Sequence, residues 1–107
     1  MATTTPKLLA EGQLAAAKAT IYTVPVGMQA IIRNVAFGNV GGVTENLNLY
    51  VKKSGGTSRL FSKAQLDPNE FAHEEDIGTL DAADELEAET TNATSVDFSV
   101  MGVEITP

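Results

Sequence analysis

One stretch of the sequence, residues 22–42 (YTVPVGMQAIIRNVAFGNVGG), constrains the fold more than any other. Its first residues are strand formers, Pro25 holds the residue before it extended, and Gly27 suits a type II turn. Polar residues interrupt the run 28–40 too often for one apolar helical face, so we predict a single long strand. Strict alternation would place four residues on one face: Ile31, Arg33, Val35 and Phe37. Neither face is purely polar, so both should be covered at least in part, between two sheets or against another subunit.

A predicted β-hairpin follows in the middle of the chain. Across residues 45–53, Leu and Val alternate with polar residues, which is typical of a half-buried strand. The glycine-containing residues 54–58 favour a turn, and residues 59–64 return as the second strand. Residues 67–70 (DPNE) resemble a helix start, but no apolar helical face comes after them. We therefore predict a turn there, followed by an extended segment.

Propensity and periodicity disagree in the last third of the chain. Residues 80–90 are rich in Ala, Glu and Leu, which favour helix, yet their apolar and acidic residues alternate. This alternation predicts an edge strand whose outward glutamates deter pairing with other sheets. In the strand predicted over residues 94–106, the apolar phase slips at Met101-Gly102, which indicates a β-bulge there. Near the start, residues 7–14 would allow a short helix, but Gly12 favours a short strand.

Together these elements predict an all-β fold, an antiparallel β-sandwich of jelly-roll-like type with little or no helix. At 107 residues, the chain is long enough to form one domain with its own core. Residues 1–6 show no apolar periodicity, and we predict that they form a flexible N-terminal arm. Residues 7–107 then make up a single sandwich domain.

The charge of the chain limits its partners. The net charge of -7 disfavours binding to a nucleic-acid backbone, and no apolar run is long enough to cross a membrane. Nearly all of the acidic residues lie after residue 53, so the second half of the chain is strongly acidic. Two interpretations remain open: a solvated face that aids solubility, or an acidic surface that contacts a basic partner.

No constellation of residues in the sequence predicts catalysis. His73 is the only histidine and lies in an acidic, surface-type segment without a nucleophile motif. Cysteine is absent, so a zinc site lacks ligands. The carboxylates of Asp81, Asp84 and Glu85 could suit calcium, but EF-hand spacing is missing. We predict no catalytic residues, no metal site, no cofactor and no small-molecule substrate, and therefore a protein that is not an enzyme. A small hydrolase that depends on Asp84 is the competing hypothesis.

Several strand and turn motifs carry a resemblance to a known group of proteins. They are Ile21-Tyr22-Thr23-Val24-Pro25, Ala30-Ile31-Ile32-Arg33-Asn34-Val35, Leu47-x-Leu49-Tyr50-Val51, Leu80-Asp81-Ala82-Ala83-Asp84-Glu85-Leu86-x-Ala88 and Gly102-Val103-Glu104-Ile105. With these motifs the chain resembles the small β-sandwich virion proteins of tailed bacteriophages, of the capsid decoration (cement) and fibre types. One departure is Ala83, where such sequences often have Gly.

The resemblance implies a structural role on the outer surface of the capsid. Such proteins typically form homotrimers and bridge neighbouring subunits of the major capsid protein. The alternative within the same group is a tail- or fibre-associated module that binds a host surface. For contact with the capsid we expect the N-terminal residues Thr3, Thr4, Thr5, Pro6 and Lys7. For contact between subunits we expect Ile31, Arg33, Val35, Phe37, Met101 and Val103.

Overall fold

The computed structural model describes residues 4–106, and these residues form eight β-strands. The strands are β1 (Thr4–Gln13), β2 (Ala19–Thr23), β3 (Gln29–Asn39), β4 (Glu45–Lys52), β5 (Ser58–Leu66), β6 (Phe71–Leu80), β7 (Glu85–Glu89) and β8 (Val96–Ile105). No helix is present among the described residues, and none of their segments is a helix able to span a membrane. The strands predicted for residues 7–14 and for the central hairpin are confirmed, as is the turn before β6.

The strands form two antiparallel sheets that pack face to face. Sheet A has the strand order β1-β8-β3-β6, and sheet B has the order β2-β7-β4-β5. Each sheet combines strands from the beginning, middle and end of the chain, as expected for a jelly-roll-like sandwich. The predicted fold class, an all-β antiparallel sandwich with little or no helix, is therefore confirmed.

The core lies between the two sheets, and β3 supplies more of it than strict alternation allows. Ala30 and Ile32 face the core, and so do Val35 and Phe37, although the two pairs differ in parity. The change occurs at Arg33, an extra residue between Ile32, which pairs with Gly102, and Asn34, which pairs with Met101. The prediction that Val35 and Phe37 share a face with Ile31 is wrong. Because the bulge adds one residue, the odd-numbered side chains after it face the core, whereas those before it face outwards.

The bulge predicted in β8 lies instead in the two strands that flank it. Arg33 in β3 is the extra residue opposite Met101 and Gly102, and Leu9 in β1 is the extra residue opposite Val100 and Met101. Gly102 itself permits a close approach of the backbones, since a Cβ atom there would lie 2.1 Å from the carbonyl oxygen of Ile31. The change of apolar phase at Met101-Gly102 therefore predicts where along β8 the irregularity lies, but the extra residues belong to β1 and β3.

Two further predictions differ from the structure. The strand within residues 80–90 is not an edge strand, because β7 lies between β2 and β4 in sheet B. Residues 4–6, which were predicted to belong to a flexible arm, instead form the start of β1 and pair with Val103 to Ile105 of β8. Residues 1–3 lie outside the described residues. In both cases the difference arises from long-range pairing, which local sequence patterns do not encode.

Candidate contact surface

The outer face of sheet A carries an apolar patch next to the bulges. Met101 pairs with Leu8 on one side and with Asn34 on the other, while Val103 pairs with Ile31. Ile31 lies between the core residues Ala30 and Ile32, so it points away from the core. The apolar patch comprises five residues of adjacent strands: Leu8, Ile31, Met101, Val103 and Ile105.

The residues of the apolar patch differ in the exposed fraction of their side chains. Leu8 is 48% exposed and Met101 45%, whereas Val103 is only 6% exposed. Val103 is nevertheless absent from the core cluster between the sheets, so its burial comes from neighbours on the outer face. Single exposed apolar side chains are normal, but exposed Leu8 and Met101 lie on adjacent strands and partly exposed Ile31 lies on the next one, as in a protein contact surface.

A partly buried polar network joins the strands behind the apolar patch. Lys7 Nζ lies 2.7 Å from Glu104 Oε1, and the Tyr22 hydroxyl donates to Glu104 Oε2 at 2.8 Å. The hydrogen bond from Lys7 lowers the pKa of the Glu104 carboxyl, and the bond from Tyr22 adds to this against the opposing effect of burial. Burial and the nearby carboxylate raise the pKa of Tyr22. The network ties β1 and β2 to β8 and so holds the patch residues in position.

The structure brings together only part of the residue set predicted for subunit contact. Ile31, Met101 and Val103 lie in the apolar patch, and exposed Arg33 is the bulge residue beside it. Val35 and Phe37, in contrast, are buried in the core of the single chain and offer no side-chain surface to a partner.

The residues predicted to contact the capsid adjoin the same patch. Thr4, Thr5, Pro6 and Lys7 form the start of β1 and pair with Ile105 to Gly102. Thr3 lies outside the described residues. Residues 4–7 are therefore part of sheet A, next to the apolar patch.

Sequence reasoning missed Leu8 and Ile105 as members of the patch. Ile105 has the same parity as Val103 on β8, so the sequence contained a signal for it. Leu8 gave no comparable signal, because its position depends on the pairing of β1 with the end of β8.

The carboxylates considered for calcium have other partners in the structure. Asp84 is 2% exposed, and its two oxygens accept hydrogen bonds from Lys53 Nζ at 2.6 Å, Ser54 N at 2.8 Å and Asp81 N at 2.9 Å. Burial alone would raise the pKa of Asp84, but these bonds, led by that of Lys53, lower it. Asp84 thus fastens the β4–β5 turn to the β6–β7 turn. Among the described residues, no group of three or more His, Cys, Asp or Glu is arranged to hold a metal ion.

A second buried carboxylate holds the opposite end of the sandwich. Glu45 is fully buried and accepts hydrogen bonds from Thr90 Oγ1 at 2.7 Å, Asn92 N at 2.8 Å and Asn92 Nδ2 at 2.7 Å. Burial favours the neutral acid, but the bonds from Asn92 and Thr90 outweigh it and lower the pKa of Glu45. This carboxylate anchors the β7–β8 loop to the start of β4.

The acidic residues of β7 lie on the outer face of sheet B. Their carboxylates accept hydrogen bonds from hydroxyl groups of other strands of the same sheet: Thr20 with Glu85, Ser58 with Glu87 and Tyr50 with Glu89. The Lys18 ammonium lies 4.7 Å from the centre of the Tyr50 ring. These contacts support the interpretation of a solvated acidic face with local structural roles.

The apolar crevice near His73 is too small to hold a ligand. The His73 ring is exposed, with Nε2 3.6 Å from Glu75 Oε1. A crevice opens between β5 and β6 along Ala64, Ala72 and Ser62, and its enclosed space is about 10 Å³. That volume is about enough for one water molecule. The apolar patch, in contrast, offers a surface for contact with another protein.

Comparison with known proteins shows the fold of the chain but not its family. No protein-family model matches the sequence, and no curated protein matches it. A protein of the Bacillus endospore appendages, which form disulfide-linked pili, is similar with a TM-score of 0.61 and 15% identity, over 98% of this chain and 88% of that one. A protein of infectious bursal disease virus, Gx strain, is similar with a TM-score of 0.52 and 13% identity, over 97% of this chain and 32% of that one.

A weaker likeness is found to YomS, a protein derived from prophage SPBc2, with a TM-score of 0.47 and 15% identity over 98% of this chain and 95% of that one. The chain spans about a third of the viral protein but most of the pilus protein. At these identities the likeness establishes the sandwich fold alone.

Proposed function

We propose that this protein is a structural protein of a bacteriophage particle, of the capsid decoration type. In this role it binds the outside of the assembled head and stabilises contacts between subunits of the major capsid protein. The apolar patch on the outer face of sheet A is the observation that carries the proposal. A patch on a flat sheet face suits contact with a broad protein surface better than recognition of a small molecule.

The fold comparisons are compatible with such a role. Two similar proteins with TM-scores above 0.5 are part of a pilus and of a virus. The pili are disulfide-linked, whereas this chain has no cysteine. Assembly of this chain therefore cannot depend on disulfide bonds between these residues.

A decoration protein acts by mass action. It binds the assembled shell and has no comparable site on free shell subunits, so each bound copy stabilises the assembled state. In the proposed arrangement, Leu8 and Met101 supply exposed apolar area, and Arg33 supplies a charge at the rim of the contact. The copies form a closed homo-oligomer, for which the resemblance implies three subunits.

A pair of matched substitutions tests whether the patch binds the shell. Met101→Glu places a charge in the apolar patch, and Ser99→Glu places the same charge two residues earlier on the same face of β8. Heads that lack this protein are incubated with each variant, and bound protein is measured after sedimentation of the particles. We expect Met101→Glu to lower the affinity at least about tenfold and Ser99→Glu to leave it nearly unchanged.

Equal binding by both variants would show that the patch is not the contact surface. Cryo-electron microscopy of the particle then locates the protein. Density on the head supports the decoration role, whereas density on the tail or fibres supports the alternative, a module that binds a host surface. Absence from the particle would contradict both roles.

A further inference from the structure

Phe71 is an aromatic side chain that the fold leaves open to solvent. It begins β6, on the outer face of sheet A, and is 76% exposed. Its pairing partner in β3 is Gly38, where a Cβ atom would lie 2.4 Å from Phe71 Cε2. The ring therefore leans across the glycine, which is buried although it lies on the outer face. Most of the ring surface stays available to a partner.

Small residues of β3 form the floor of a shallow trench beside this ring. Gly38 pairs with Phe71 on one side and with Asp97 of β8 on the other, and in the next outward row Ala36 pairs with His73. An open groove of about 500 Å³ runs along Phe71, Ala36 and His73. The trench comprises Ala36, Gly38, Phe71, His73 and Asp97.

Asp97 is held in position and keeps a free acceptor. Gln13 of β1 pairs with Asp97, and its Nε2 donates to Asp97 Oδ1 at 3.0 Å. Among the described residues, no donor bonds to the second oxygen, Oδ2. Neighbouring strands lie about 4.8 Å apart, and the Phe71 ring leans over the strand that separates it from β8. The ring and the carboxylate therefore stand side by side.

The charges around the trench are negative. Asp97 is exposed, and so are Glu11, in the row of Ala36, and Glu75, two residues after His73. The rows of Gly38 and Ala36 contain no lysine or arginine.

The Phe71 ring has no cationic partner within residues 4–106. In that part of the chain, the cation that lies over an aromatic ring is Lys18, at Tyr50 in sheet B. An open aromatic ring beside a carboxylate is the combination that attracts a cation.

We propose that the trench binds an arginine side chain of a partner protein. The guanidinium group stacks on the open surface of the Phe71 ring and donates in its own plane to Asp97 Oδ2. Arginine suits both contacts at once, because its guanidinium is planar, always charged and weakly hydrated. A lysine ammonium has no flat face and is more strongly hydrated, so it should bind less well.

Charge complementarity selects this occupant over others. Asp97, Glu11 and Glu75 repel an anionic partner, and an apolar segment would leave their charges without a counterpart. Of the two interpretations of the acidic residues, the trench favours a surface for a basic partner. In a complete complex the arginine acts as one anchor within a larger contact.

Titration of the isotope-labelled full-length protein with short peptides, followed by NMR, tests the proposal. The probes are Gly-Arg-Gly-Arg-Gly and Gly-Lys-Gly-Lys-Gly, blocked at both ends and equal in charge. We expect the arginine peptide to shift the backbone amide signals of Gly38, Phe71 and Asp97, with a dissociation constant of about 1 mM. The lysine peptide should bind at least about threefold more weakly. Salt at about 1 M should weaken the binding of both peptides.

Matched variants locate the contact. Phe71→Ala and Asp97→Asn should each raise the dissociation constant of the arginine peptide at least about threefold, whereas Phe71→Tyr, which keeps the ring, should bind as the wild type does. Phe61→Ala removes an exposed ring from β5 in sheet B. Asp81→Asn removes an exposed carboxylate that, like Asp97, accepts a hydrogen bond from a glutamine. Both controls should leave binding unchanged, and circular dichroism checks that every variant is folded.

Equal affinity for the arginine and lysine peptides overturns the proposal, and so does binding that is insensitive to Phe71→Ala or to Asp97→Asn. A Gly-Leu-Gly-Leu-Gly peptide that binds as tightly as the arginine peptide would identify an apolar docking site instead. Trench signals that move with protein concentration alone would identify a second copy of the chain as the occupant. Either result also overturns the arginine site. The proposal is independent of the proposed function, because the titration contains no shell particles, and loss of shell binding would count against the proposed function only.

Discussion

Removal of the Asp84 carboxylate should destabilise the protein strongly, although the residue lies in a surface turn. Asp84→Ala leaves the N–H groups of Ser54 and Asp81 without their acceptor, and Lys53 without its closest partner. An unsatisfied, partly buried N–H costs about 1–2 kcal/mol, so the two together cost about 3 kcal/mol. The Lys53 ammonium regains water because its side chain is 59% exposed, and we assign no further cost to it.

Urea denaturation followed by circular dichroism measures this loss as a change in the free energy of unfolding. A domain of this size has a total stability of about 5–15 kcal/mol, so a loss of about 3 kcal/mol shifts the midpoint clearly at constant m value. Asp81→Ala is the control, because its carboxylate is 65% exposed and lies 3.7 Å from Lys53. That substitution should cost less than about 1 kcal/mol. Equal losses for the two variants, or a loss below about 1 kcal/mol for Asp84→Ala, would refute the assignment.

Three further predictions concern backbone geometry and pH, and urea denaturation tests all of them. Gly102→Ala should cost more than about 2 kcal/mol because the new Cβ collides with a backbone oxygen, whereas Gly42→Ala, where a Cβ meets no atom within 4 Å, should change little; similar losses would contradict this. Ala83 has a φ of 67°, a left-handed conformation, so Ala83→Gly should stabilise by about 0.5–1 kcal/mol. Ala82→Gly, at a position without positive φ, should destabilise instead. Finally, the free energy of unfolding should have its full value above about pH 5 and fall at lower pH, as protons bind the carboxyls whose pKa is lowered in the folded protein. The loss follows because the same carboxyls bind protons at a higher pH in the unfolded state than in the folded state. These carboxyls are Glu45, Asp84 and Glu104. A midpoint that stays constant or rises between pH 5 and pH 3 would contradict the prediction.

The departure noted at Ala83 has a structural explanation. The resemblance pointed to glycine at this position, and the structure shows Ala83 in the left-handed conformation that glycine adopts without strain. The turn keeps its geometry because the hydrogen bonds of Asp84 and of the Ala83 N–H to Val24 O hold it. The sequence therefore marked a special backbone position before the structure showed its conformation.

By itself, the sequence determined the local elements of this protein. Alternation in residues 45–53, the glycine turn after them and the Pro25–Gly27 turn each depend on neighbouring residues, so they could be recognised without the fold. The same holds for the all-β class, because no segment combines helical propensity with one apolar helical face.

Only the tertiary structure decided which faces these strands present. Arg33 is an extra residue only because β8 pairs with β3 on either side of it, and this bulge turns Val35 and Phe37 into the core while Ile31 stays outside. The pairing of β1 with β8 likewise places Leu8 beside Met101 and completes the apolar patch. A one-residue shift in register reverses the face of every later side chain, and register depends on partners distant in sequence. Local patterns could therefore identify the strands but not the surface that they build together.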